Sequence, residues 1–283
     1  MNKLFKLAAA ATVALSLSAC GSGSDDTNKN ESASKTINVG ATTSPHAVIL
    51  EEAKKIMEKD GYTLEITEFS DYPNINPSTS DGSLDANYFQ HQPYLDSYNA
   101  DSGYSEGDDG YLVSAGSIHY EPMGAYSETL EEINLDNLKE GDQIVVPNDA
   151  TNEARALFLL QDLGVITLND DATIDKATVA DIKDNPKNVE IVEIAADQIP
   201  SRIKDVAVVV VNGNYALDAD ITDYLRAQEA SDSDAAKLYA NVIAVKEANK
   251  DNEAVQELVK VLKSDDIKAF IVENFGDTVQ AAQ

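Results

Sequence analysis

Residues Val206 to Val211 read VAVVVV, six apolar side chains in unbroken succession, five of them β-branched. A strand with one wet face alternates apolar and polar residues. A run with no polar member predicts a central strand in a sheet covered on both faces. The beginning of the folded sequence points the same way. Thr36 to Ala41 (TINVGA) alternates and reads as a strand. Ser44 is placed as an N-cap with Pro45 at the first helical position, and Ile49, Ala53, Ile56 and Met57 recur on one helical face until Gly61. Tyr62 to Phe69 (YTLEITEF) is a second alternating strand. Strand, helix, strand at this spacing is a βαβ unit, whose right-handed crossover makes the two strands parallel. The class is therefore α/β. Ligands in such sheets lie beyond the carboxyl ends of the strands, where Thr42, Thr43, Ser44 and Tyr72 fall.

Further strands are expected at Tyr111 to Tyr120, Gln143 to Val146, Val189 to Ile194 and Tyr239 to Val245. Helices are expected from about Asn152 to Leu163, closed by Gly164, and at Asn252 to Leu262 and Asp265 to Phe275. Pro73 and Pro77 bracket a turn-rich link. Pro122-Met123-Gly124 after a strand is either a hinge or a plain turn. The roughly 250 residues from Thr36 onward are enough for two lobes of ordinary size. One lobe is drawn from residues 36–122 with 238–283, the other from 123–237, with chain crossings near Pro122 to Gly124 and between about Arg226 and Leu238.

Ahead of the fold, Lys3 and Lys6 precede an apolar run from Leu7 to Leu17, too short to span a bilayer and of the right length for a signal-peptide core over residues 1–19. The run ends Leu17-Ser18-Ala19-Cys20, an order resembling the bacterial lipobox, in which the cysteine is lipidated. Cys20 is the single cysteine, which excludes an internal disulfide framework. Residues 20–35 are poor in large apolar side chains and read as a flexible tether. This places the protein at the cell membrane, lipid-anchored and facing the extracytoplasmic side. A net charge of −29 repels polyanions and argues against nucleic-acid binding.

Three constellations carry binding chemistry. Asp85 to Asp96 (DANYFQHQPYLD) gathers Tyr88, Phe89 and Tyr94 around His91, a set that either boxes a polarizable apolar group or forms a core patch at the start of a helix. Arg155 is expected in the first turn of its helix, where the dipole disfavours a cation. A bound carboxylate explains it, as does a surface salt bridge to Asp149, Glu153 or another acid. Asn212 and Asn214, just past the buried run, either hold a ligand ammonium or make a turn. Enzyme signatures are missing: there is no phosphate-binding glycine loop, no G-x-S-x-G elbow and no H-E-x-x-H. A metal site needs two of His46, His91 and His119 to converge with carboxylates. That makes a metal-binding importer component the rival reading, with a lipid-anchored surface enzyme a third.

Six blocks in order, VGATTSPHAVIL (39–50), LDANYFQHQPYLD (84–96), EPMGAYS (121–127), VPNDATNEARALFLLQ (146–161), NPKN (185–188) and VVNGNYA (210–216), resemble the NlpA lipoprotein family, the methionine-binding lipoproteins of ABC importers. The resemblance implies a two-lobed fold of the periplasmic-binding-protein kind, with a ligand cleft between lobes joined by hinge crossovers. It implies a monomer that binds methionine, its D enantiomer or a short methionine-containing peptide and delivers it to a permease and its ATPase, with no cofactor. It further implies that Arg155 pairs with the ligand carboxylate, that Asn212 holds the amino group, and that Tyr72, Phe89 and His91 enclose the thioether. Tyr72 stands in FSDYPNINPS, where the family more often has Asn-Asp-Tyr and a run leading to Leu.

Overall fold

The computed structural model describes residues 35–230 and 237–282. The signal segment, Cys20 and nearly all of the tether lie outside them, as does part of the second crossing. Strands and helices are numbered in chain order. One sheet holds β1 (Thr36–Thr42), β2 (Thr63–Phe69), β3 (Ala86–His91), β4 (Leu112–Tyr120), β12 (Asn241–Lys246) and β13 (Gln280–Ala281), in the order β13-β4-β12-β3-β1-β2. The β1–β2 pair is parallel, with Ile37 opposite Leu64 and Thr42 opposite Phe69, as the βαβ reading requires. The sheet as a whole is mixed, because β12 runs antiparallel to both β3 and β4. Helix α1 (Val48–Lys59) buries Ile49, Leu50, Ala53 and Met57 in a core shared with the two C-terminal helices Glu253–Leu262 and Asp265–Phe275.

The second sheet holds β5 (Gly124–Tyr126), β6 (Gln143–Pro147), β9 (Glu190–Ile194), β10 (Val208–Val211) and β11 (Leu225–Gln228), in the order β11-β5-β10-β6-β9. A small antiparallel pair, β7 (Thr167–Leu168) with β8 (Ile182–Asp184), stands apart. The valine run occupies the centre, and period-two alternation divides it between two cores. Val208 and Val210 pack with Met123, Leu157 and Leu160, while Val209 and Val211 pack with Tyr72, Phe89 and Tyr215. This explains why no polar residue is tolerated there. The second core contains residues reached from the first sheet, so the central strand of one sheet rests against Tyr72 and Phe89 of the other.

Several local expectations change. Ser44 has extended backbone (φ −122, ψ 141), the Ser44–Pro45 bond is cis, and a kinked segment over Thr43–Ala47 precedes α1, with no side-chain cap. Helix α4 (Ala150–Asp162) starts before Asn152 because Asp149 caps it, its carboxylate accepting the Asn152 N–H at 3.0 Å. Gly164, at φ +70, follows the end of that helix as expected. The Asp85 to Asp96 stretch is strand β3 running into α3 (Gln92–Asp101), with His91 as the helix N-cap. The link marked by Pro73 and Pro77 runs into a helix, α2 (Ile75–Ser80), which includes Pro77, and β5 and β11 are too short, at three and four residues, for alternation to be read. The first crossing between the sheets is the three residues Glu121 to Met123. It is tied to the start of the second by Glu229 N–H donating to the Met123 carbonyl at 3.0 Å.

Candidate functional site

The carboxyl ends of β2, β3 and β10 bring five of the singled-out residues, Tyr72, Phe89, His91, Tyr94 and Asn212, to one place. Tyr72, Phe89, Gln90, His91, Tyr94, Asn152 and Asn212 line a small, partly open pocket with room for about 10 Å³, and Arg155 and Asn214 are not in its lining. Tyr72, Phe89 and Tyr94 form a mutual aromatic set with ring centroids 5.4–5.7 Å apart, and Tyr215 joins from α5 (Gly213–Asp218) at 4.8 Å from Tyr72. Such tilted and edge-on arrangements leave ring faces and edges available to a polarizable group. Tyr88 does not belong to this box. Strand alternation sends it to the opposite face from Phe89 and His91, where it packs edge-on against His46 and His119. Gln90 and Asn152 were missed by sequence reasoning. Asn152 stood in the quoted VPNDATNEARALFLLQ block, but nothing in its spacing marks an asparagine as a pocket residue.

The polar side of the cavity is a directed hydrogen-bond chain. His91 Nδ1 accepts the Tyr94 N–H at 3.2 Å and its Nε2 meets Asn152 Oδ1 at 3.1 Å, so the ring is neutral with the proton on Nε2. Burial, and then the Arg155 charge, push its pKa down to about 3. Asn212 Nδ2 donates to the same Asn152 oxygen at 2.8 Å, and Asn152 Nδ2 donates to the Asp149 carboxylate at 2.9 and 3.1 Å. Tyr72 Oη donates to Asn214 Oδ1 at 2.6 Å. Among the described residues, two buried side-chain polar atoms lack a protein partner, the acceptor Asn212 Oδ1 and the donor Asn214 Nδ2. Each costs about 1–3 kcal/mol if nothing meets it.

Arg155 is buried, 2 % exposed, and in the second turn of α4 rather than the first. Its acid partner is Glu229, not Asp149 or Glu153, and the pair is not at the surface. Nε donates to both Glu229 oxygens at 2.7 and 2.9 Å, and Nη2 donates to Glu229 Oε2 and to the Glu121 carbonyl, each at 2.6 Å. Glu229 Oε2 also accepts from Tyr120 Oη at 2.8 Å and Met123 N–H at 2.9 Å. The guanidinium lies 4.4 Å from the Tyr239 ring centroid. Burial works against its charge, but Glu229 with Tyr120 and Tyr239 together hold the pKa above the ordinary value.

Two of the three histidines converge on one carboxylate. His119 Nε2 is 2.7 Å and His46 Nε2 3.3 Å from Glu121 Oε1, all three residues being buried. His46 Nδ1 meets Thr42 Oγ1 at 2.7 Å, His46 Nε2 meets Asn241 Oδ1 at 3.0 Å, and His119 Nδ1 meets Tyr88 Oη. Every ring nitrogen of the pair is thus accounted for by hydrogen bonds within the protein. Glu121 begins the first crossing, and a Cβ on Gly213 would come within 3.1 Å of its Oε2, so glycine lets α5 approach that carboxylate. Burial lowers the His119 pKa to about 3, well below the unfolded value near 6.5. A group whose folded pKa is depressed binds fewer protons folded than unfolded, so its contribution is lost as pH falls through 6.5. Between pH 7 and 4.5 the parent is therefore expected to lose about 2–3 kcal/mol more stability than His119→Gln, a difference in which titrating groups other than the adjoining His46 and Glu121 cancel. Urea unfolding at both pH values measures it, and equal losses would mean that His119 is not held neutral.

Two sheets with helices packed on them, joined first through Glu121 to Met123, with an aromatic and amide pocket where strand ends face one another, define the class of two-lobed substrate-binding proteins. Within that class the chain belongs to the NlpA lipoprotein family, whose pattern matches residues 37–283. The methionine-binding lipoprotein MetQ of Bacillus subtilis is 38% identical over 251 residues, covering 88% of this chain and 89% of that protein. A lipoprotein structure from Ruminococcus gnavus shares 52% identity at a TM-score of 0.82, covering 88% of this chain and 100% of that one. A nutrient-binding protein from Burkholderia cenocepacia, solved bound to methionine, shares 40% identity at a TM-score of 0.80, covering 87% and 100%.

Proposed function

We propose that this chain is the substrate-binding component of an ABC importer, capturing methionine between its lobes and delivering it to the permease and its ATPase. It binds and does not catalyse. The observation that carries the reading is the aromatic set of Tyr72, Phe89 and Tyr94 beside His91, lying next to an acceptor, Asn212 Oδ1, that has no protein partner. A thioether gains about 0.3–1.5 kcal/mol from each ring it touches, and an ammonium supplies what the orphaned oxygen lacks. Arg155, held by Glu229, provides positive charge for the ligand carboxylate, and Asn214 Nδ2 a further donor. Calorimetry of the purified protein with L- and D-methionine tests this, and the absence of heat with either would sink it.

The lobes assigned to this motion are residues 36–122 with 238–283 and residues 123–237, hinged at Glu121 to Met123 and along the return after β11. Closure of a hinge around a ligand compacts the molecule. Small-angle scattering is expected to show a smaller radius with methionine, and an unchanged radius alongside measured binding would count against the hinge. Anchoring is assigned to Cys20, which holds a monomer on the extracytoplasmic face of the membrane. Cys20→Ala, if processed, is expected to leave the detergent phase and still bind; a processed variant that still partitions with lipid would place the anchor elsewhere.

A further inference from the structure

We propose that Asp149 and Asn152 are positioning residues that hold Asn212 as an obligate hydrogen-bond acceptor, so that tight binding requires the α-ammonium and not only a thioether and a carboxylate. The inference rests on the amino-acid reading above and adds to it the groups that decide which end of the amide the ligand meets.

A primary amide has two ends of nearly equal shape and opposite polarity. An asparagine free to turn over would present Nδ2 to the cavity as readily as Oδ1, and Nδ2 repels an ammonium. Here the choice is made at the far end of the chain. The Asp149 carboxylate can only accept, and it takes Asn152 Nδ2 on both oxygens at 2.9 and 3.1 Å. That orients Asn152 Oδ1 toward Asn212, whose Nδ2 donates to it at 2.8 Å. His91 confirms the same sense from the side. Its Nδ1 is committed to the Tyr94 N–H, so Nε2 carries the proton and donates to Asn152 Oδ1 at 3.1 Å.

Turning Asn212 over would set its oxygen against an oxygen that already accepts from His91. Rotation of Asn152 would in turn set amide hydrogens against those of His91 and Asn212. The remaining atom, Asn212 Oδ1, lies in a residue lining the cavity and has no protein partner. Asn152 is 1 % and Asn212 7 % exposed, so water does not compete freely for the chain. The source of polarity is also built into the scaffold, because the same Asp149 oxygen caps α4 through the Asn152 N–H at 3.0 Å and accepts from Thr151 Oγ1 at 3.2 Å. A helix cap thereby sets the polarity of a ligand contact two side chains away.

The test uses two ligands that differ only in the ammonium, methionine and γ-methylthiobutyrate, titrated by calorimetry into the full chain and its variants. The parent is expected to prefer methionine by about 10–100-fold, the range for a hydrogen bond to a charged group. In Asn152→Ala that preference should fall at least tenfold, through methionine alone. Asp149→Asn, which keeps a good N-cap, should lower it in the same direction because its Nδ2 lets Asn152 turn. The double variant Asn152→Ala/Asn212→Asp should recover the preference, since a carboxylate at 212 has only acceptors to offer. Should Asn152→Ala fail to fold, Asp149→Asn carries the same comparison. A purely structural role would weaken both ligands together and leave the ratio unchanged. A preference within threefold of the parent in the variants that fold, or no recovery in the double variant, overturns the proposal. A parent that binds both ligands equally overturns it while the amino-acid reading stands, and a parent that binds no methionine removes that reading and this one with it.

Discussion

Arg155→Ala is expected to lose both stability and affinity, and the two losses have different origins. The guanidinium is 2 % exposed and holds Glu229 through three contacts of 2.6–2.9 Å, so its removal leaves a nearly buried carboxylate with no cation. Breaking a buried pair from one side costs about 3–5 kcal/mol. A variant at a surface first-turn position would have kept its fold unchanged; this one should unfold at clearly lower urea. Affinity for methionine should fall by about 10²–10³, because the carboxylate of an enclosed amino acid then lacks its positive charge, at about 1.4 kcal/mol per tenfold. Glu229→Ala separates the effects. It strands Arg155 and should also destabilise, yet it leaves the cation in place and should bind within about tenfold of the parent. Removing both residues should recover stability relative to either single variant but not affinity. Urea titration and calorimetry on the three variants decide it, and Arg155→Ala binding within threefold of the parent would take the arginine out of the site.

Asn212→Leu should show the opposite combination, weaker binding with no loss of fold. Its side-chain oxygen is buried without a partner, so the unliganded protein gives up little when it goes. The cost is the Nδ2 bond to Asn152 Oδ1, which keeps His91 as a donor, and relief of the orphaned oxygen offsets it. Stability should stay within about 1 kcal/mol of the parent or rise. Methionine affinity should drop by about 10–100-fold, the loss of a hydrogen bond to a charged group. A protein that became unstable without a change in affinity would assign Asn212 to the fold alone. The pair of variants is informative together, since the first is expected to cost stability and affinity and the second affinity alone.

The sequence by itself determined the parts that depend on periodicity and local chemistry. An unbroken valine run requires cover on both faces, and β10 is indeed the middle strand with its side chains divided between two cores. Alternation, the helical face of Ile49, Ala53 and Met57, and Gly164 after a helix made the βαβ unit and the boundaries of α4 nearly legible. Tyr72, Phe89, His91, Tyr94 and Asn212 were named from clustering and family resemblance, and all five line one cavity. Tertiary structure decided what those residues do to one another. No spacing rule pairs Arg155 with Glu229, 74 positions away, or brings His46 to Glu121 and His119. Nor does any local signal show that Asn152 stands between Asp149, His91 and Asn212. Hydrophobic patterning is a property of neighbours along the chain, whereas ion pairs and the rotation of a buried amide depend on which acceptors and donors meet when strand ends from two sheets are brought together.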